Sequence, residues 1–113
     1  MNLRTKIILG AIFLLSGCAN NAIYYWGNYS NSLYQYKKNL TQESLDRHIS
    51  ELLEIVRKSN ARNLRVPPGV YAELGFIYTE KGDNVEAIKY FELEKNTYPE
   101  SAKFMDSLIK SMG

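Results

Sequence analysis

Apolar positions along the chain fall into one unbroken run and then a series of stripes at helical spacing. The run is Ile7 to Leu15, uncharged and preceded by Arg4 and Lys6. After it, Trp26, Tyr29, Leu33, Tyr36 and Leu40 recur at alternating steps of three and four, which is one face of a helix. Thr41 reads as an N-cap with Glu43 in the first turn. A second amphipathic helix follows through Lys58, its apolar face being Leu45, Ile49, Leu52, Leu53 and Val56. Ser59 to Val66 is polar and reads as a loop, and Pro67-Pro68-Gly69 punctuates the chain. Two further helices lie on either side of Gly82-Asp83, and a last one carries the stripe Phe104, Leu108 and Met112 with Ile109 beside it. Nothing alternates with the period of a strand. The pattern predicts an all-α chain of five helices arranged as hairpins.

The first apolar run is too short for a membrane-spanning helix, which takes about 20 residues. It has the length of a signal-peptide core. Leu15-Ser16-Gly17-Cys18 follows it directly. This sequence resembles the lipobox of bacterial lipoproteins: an apolar residue, two small ones, then the cysteine whose thiolate takes up diacylglycerol. The resemblance implies that residues 1–17 are a cleaved signal and that Cys18 becomes the lipidated N-terminus. Residues 18–23 would be a lipid-attached linker and residues 24–113 the folded domain. Several acyl chains hold firmly, since each buried methylene contributes about 0.8 kcal/mol. In such lipoproteins an aspartate after the cysteine retains the protein in the inner membrane. Ala19-Asn20 stand here, which implies the outer membrane, facing the periplasm.

Composition changes meaning once the signal is removed. The whole chain has 14 basic and 12 acidic residues, and Arg4 and Lys6 leave with residues 1–17, so the remaining side chains balance at twelve of each. No basic excess is left to suggest nucleic acid as a partner. Cys18 is the single cysteine, so the chain can form no internal disulfide.

Residues 68–101 carry the most specific pattern in the domain. Tyr71, Leu74, Gly75 and Tyr78 are followed by Gly82-Asp83, then Ala87, Phe91 and Pro99. These spacings resemble one tetratricopeptide repeat, a helix–turn–helix unit of about 34 residues. Tyr71 stands where the motif usually has tryptophan. Packing gives each position a reason: Gly75 and Ala87 are small enough for two helices to touch there, and Tyr78 and Phe91 fill the space beside them. Gly82 suits the positive φ that ends a helix, and Asp83 with Glu86 opens the next. Glu94 departs from the pattern, occupying a slot that normally holds alanine. The helix after Ser101 would be the cap such repeats need. Residues 26–59 can be laid over the same slots as a degenerate earlier repeat, with Tyr36, Leu45, Ile49 and Leu52 in place.

The resemblance also implies a binding surface. The inner face of the first helix of such repeats lines a groove for a peptide. Here that face is Gly69, Ala72, Phe76, Thr79 and Glu80. The lipobox, the Trp/Tyr-rich start and a single repeat together resemble a group of small proteobacterial outer-membrane lipoproteins of unknown function. Members of that group are similar to companions of curli-secretin-like lipoproteins. The implied role is a non-catalytic interaction module that assembles or stabilises an outer-membrane complex. A pilotin-like carrier escorting a secretin or pore subunit is the alternative, and an envelope hydrolase a third.

The residues offer little catalytic chemistry. His48 is the single histidine. It falls on the polar side of its helix, where solvation is expected. No cluster has the three or four converging ligands a metal needs, and no cofactor motif appears. Two local surfaces stay open. Tyr24, Tyr25 and Tyr34 lie off the first stripe. Arg57, Lys58, Arg62 and Arg65 could meet lipid phosphates or be an ordinary solvated loop.

Overall fold

A computed structural model describes residues 23–113. The signal, Cys18 and linker residues 19–22 lie outside the described residues. The described chain folds into five α-helices without a strand: α1 (Tyr29–Lys38), α2 (Gln42–Ala61), α3 (Val70–Glu80), α4 (Asn84–Thr97) and α5 (Ala102–Met112). A short 3₁₀ turn, Pro99–Ser101, joins the last two. Helices α1 and α2 form one hairpin, α3 and α4 a second, and α5 packs back on α4.

Local chemistry explains the boundaries. Asn39 leaves helical φ/ψ, so α1 ends and Leu40 is left outside it, 74% exposed. The expected first stripe is therefore shorter than its spacing suggested. Tyr29, Leu33 and Tyr36 turn inward, while Trp26 precedes the helix and leans its ring on Tyr29 at 5.2 Å. Thr41 caps α2 as expected. Its Oγ1 accepts from the Ser44 N–H at 3.1 Å, and the Ser44 hydroxyl accepts from the Thr41 N–H at 3.2 Å. This is a reciprocal capping box.

The buried face of α2 is Ser44, His48, Ile49, Leu52, Ile55 and Ser59. Leu45 and Val56 pack at its edge, and Leu53 is exposed, contrary to the expected apolar face. Two elements explain the rotation, because α1 covers the early part of α2 and α3 with Val66 covers the later part. The polar segment after Lys58 is a solvated loop only from Arg62 to Arg65. Helix α2 continues to Ala61, and both Ser59 and Val66 are buried.

The second hairpin is built at Gly75. A Cβ there would run into the Phe91 ring, which is fully buried. Gly75 thus makes room for Phe91 rather than for Ala87 across the hairpin. Ala87 joins Phe91 and Met105 in a buried cluster between α3, α4 and α5. Gly82 takes φ +80°, as its place in the turn requires, and Asp83 accepts from the Glu86 N–H at 3.1 Å.

Glu94 has a structural use that its departure from the repeat pattern did not suggest. Gly69, the N-cap of α3, has no side chain to satisfy the first amides of the helix. The buried Glu94 carboxylate accepts from Gly69 N–H at 3.0 Å and from Ala72 N–H at 3.3 Å. It caps α3 from the neighbouring helix, where the dipole favours negative charge.

Helix α5 turns Met105, Leu108, Ile109 and Met112 toward that cluster. Phe104, expected on the inner stripe, is 57% exposed.

Candidate functional site

Helices α1, α2 and α3 meet over a polar cluster that floors a groove. Tyr29 comes from the first turn of α1 and Ser32 from its second. His48 comes from the second turn of α2, and Glu73 from the first turn of α3. The Tyr29 hydroxyl donates to Oε1 of Glu73 at 2.6 Å. His48 Nε2 hydrogen-bonds the other carboxylate oxygen, and its Nδ1 lies 2.8 Å from the Ser32 hydroxyl. Because the carboxylate only accepts, Nε2 carries a proton. The Ser32 hydroxyl also lies 3.1 Å from the Tyr29 carbonyl. The ring of Tyr36 stacks on the imidazole at 6.2 Å with 5° between planes, and Tyr29 lies 5.7 Å from the imidazole.

His48 is therefore only 1% exposed, not solvated. It stands four residues before Leu52 on the buried stripe, a spacing that marked it as inward. Its partners come from other helices, so helix-local reading could not supply them. Burial raises the Glu73 carboxyl, but hydrogen bonds from His48 and Tyr29 outweigh it, helped by the charges of His48 and Lys37. The net effect holds Glu73 below its usual 4.5. Burial, the hydrogen bond to Glu73 and its negative charge push the Tyr29 phenol well above 10.0.

Above this floor the groove has a volume of about 630 Å³. Its apolar walls are Leu33, Tyr36, Leu45, Phe76 and Ile77, and Lys37, Gln42, Glu80 and Lys81 stand at the rim. Of the residues expected to line a partner groove, Phe76 and Glu80 do so. Ala72 packs against the Ala87–Phe91–Met105 cluster, and Thr79 turns its hydroxyl onto the Gly75 carbonyl at 2.9 Å. Gly69 is occupied by Glu94. The groove face of α3 is thus rotated toward Glu73 and Ile77. Phe76 is 42% exposed, its edge on the Phe91 ring at 5.3 Å and its centroid 6.5 Å from Phe104. A second, polar pocket of about 390 Å³ lies on the other side of the α1–α2 hairpin and includes Ser32, Arg47 and Ser50.

Among the described residues no group of three or more His, Cys, Asp or Glu side chains is placed to hold a metal ion. No described helix is long and apolar enough to cross a membrane.

The class defined so far is a small all-α protein of two helical hairpins and a closing helix. Residues 23–108 match a family described as a domain of unknown function (DUF4810), and the chain belongs to that family. No curated protein and no solved structure matches it.

Proposed function

We propose that this is a lipid-anchored envelope protein whose helical domain is a non-catalytic docking module. Its lipid would sit on Cys18 in the outer membrane, and its domain would face the periplasm. The observation that carries the docking half is the groove between the α1–α2 hairpin and α3, with half-exposed Phe76 on its wall. Aromatic side chains of this kind dominate interfaces. An apolar groove with a few polar groups at its rim suits an apolar peptide segment of a protein. The partly buried Tyr29–Glu73–His48–Ser32 cluster supports the reading by holding three helices in one arrangement, so the groove is preformed. A curli-secretin-like outer-membrane lipoprotein is the kind of partner the sequence resemblance suggests.

The α3–α4 hairpin, with Gly75 under Phe91 and α5 closing the cluster, supports the reading of residues 68–101 as a tetratricopeptide-like repeat. A hydrolase reading would start from Ser32, His48 and Glu73, whose order matches a hydrolytic relay. We favour the structural role because the imidazole is enclosed, with Tyr36 stacked on it and both nitrogens engaged between packed helices.

The docking reading is tested by photo-crosslinking in living cells. A benzophenone amino acid replaces Phe76 in one strain and Val85 in another. Val85 is 79% exposed and does not line the groove. A discrete adduct is expected from position 76 only. Adducts of equal yield from both positions would reduce Phe76 to an ordinary surface residue.

A further inference from the structure

Four stretches far apart in sequence converge on one patch beside the point where the described chain begins. The Tyr25 ring receives the Lys58 ammonium at 5.5 Å and the Arg62 guanidinium at 4.7 Å. The Tyr98 ring receives the Arg65 guanidinium at 4.7 Å, and the phenol of Tyr24 lies beside that of Tyr98. Thus the start of the domain, the end of α2 and the loop after it share one cationic surface with the half-buried Tyr24 and Tyr25, and the buried Tyr98 at the end of α4 backs it from beneath. Three acidic residues lie close to it, and Glu94, beside Tyr98, is taken up by the Gly69 and Ala72 amides. Glu54 already pairs with both Arg57 and Lys58, and Glu51 accepts from the Asn28 N–H. Among the described residues Arg62 and Arg65 have no acidic partner, and both are exposed.

We infer that this patch rests on the anionic phospholipid leaflet that carries the protein's own anchor. The inference builds on the lipid-anchor reading. Four residues, and so five Cα-to-Cα steps, separate Cys18 from Ile23. Such a stretch spans at most about 18 Å when extended. On the lipid-anchor reading, Ile23 therefore lies within about 18 Å of the lipidated cysteine. Ile23 is 58% exposed and Trp26 41% exposed, and both lie in that first stretch. Tyr and Trp rings favour the headgroup level, where one end is apolar and the other wet. A guanidinium fits phosphate oxygens with paired donors, and stacking on a tyrosine aims it; Arg65 spends one donor on the Thr97 carbonyl at 3.4 Å and keeps the rest. The mature side chains sum to zero charge, so the attraction is local to this face. Docking would fix the orientation of the domain and keep the groove free for a partner.

Trp26 is the single tryptophan and supplies the readout. The mature lipoprotein is reconstituted into phosphatidylcholine vesicles with or without phosphatidylglycerol, each containing brominated lipid as quencher. With phosphatidylglycerol present, Trp26 emission should shift to shorter wavelength, with roughly twofold more quenching or better. High salt should reverse both changes in the wild type, because the charges are exposed. Replacing Arg62→Gln together with Arg65→Gln should abolish them while leaving the melting curve in place. Emission and quenching that ignore lipid charge and salt in the wild type would overturn the docking surface while leaving the anchor intact. A protein that does not stay with the vesicles at all would overturn the anchor and the docking with it.

Discussion

Gly75→Leu should lower the stability of the domain by about 1–3 kcal/mol, and by more if the hairpin cannot part to accept it. The reason lies in a single contact. Even a Cβ at this position would overlap the Phe91 ring, and that ring is enclosed by α3, α4 and α5. Phe91 cannot swing out without opening the Ala87–Met105 cluster, so the strain passes to the whole second hairpin. In a domain of this size each kcal/mol corresponds to about 4–8 °C in melting midpoint. Thermal unfolding followed by circular dichroism measures it. A midpoint unchanged from wild type would remove Gly75 from the helix–helix contact and weaken the repeat reading with it.

Glu73→Gln should cost about 1–3 kcal/mol at neutral pH, because two donors, Tyr29 and His48, lose a shared carboxylate where water has little access. It should also flatten the acid side of the stability curve. The folded Glu73 carboxyl titrates below its ordinary 4.5, so the unfolded chain binds its proton more readily. The stability it contributes is fully present above that value and is lost as pH falls through the lower folded value. Wild-type protein should therefore weaken more steeply than Glu73→Gln below pH 4.5. Parallel curves for the two proteins would mean that Glu73 is not holding a buried network together.

Much of the fold was legible in the chain, for reasons that were local. The Thr41 and Asp83 caps, the positive φ of Gly82 and the α3–α4 hairpin all follow from neighbours within a turn or two, or from a motif with fixed spacings, although the motif put Ala87 rather than Phe91 opposite Gly75. What sequence reading missed depends on contacts across the fold. On the last helix Leu108, Ile109 and Met112 face inward as their spacing suggested, but Met105 takes the place expected of Phe104, because both fit an apolar periodicity and only the position of α4 chooses between them. Leu53 and Ile55 on α2 present the same choice. His48 reads as solvated until Glu73 arrives from α3 and Tyr36 from α1. Glu94 reads as a defect in the repeat until it is seen to cap a helix whose own N-cap is glycine. For the groove, Phe76 and Glu80 were legible from the repeat pattern. Ala72 and Thr79 were not separable from them, because the turn of α3 toward α1 and α2 is set by the polar cluster beneath.

The central claim is that the groove beside Phe76 holds a protein partner. The most direct measurement compares wild type and Phe76→Ala, both affinity-purified from cells by the same tag. The substitution removes an edge-to-face aromatic contact worth about 0.5–1.5 kcal/mol beyond the apolar area it uncovers, at a residue 42% exposed, and the melting curve establishes that the variant is folded. The partner recovered with wild type should be missing from the Phe76→Ala preparation at equal protein level. Undiminished recovery with the folded variant would contradict the account.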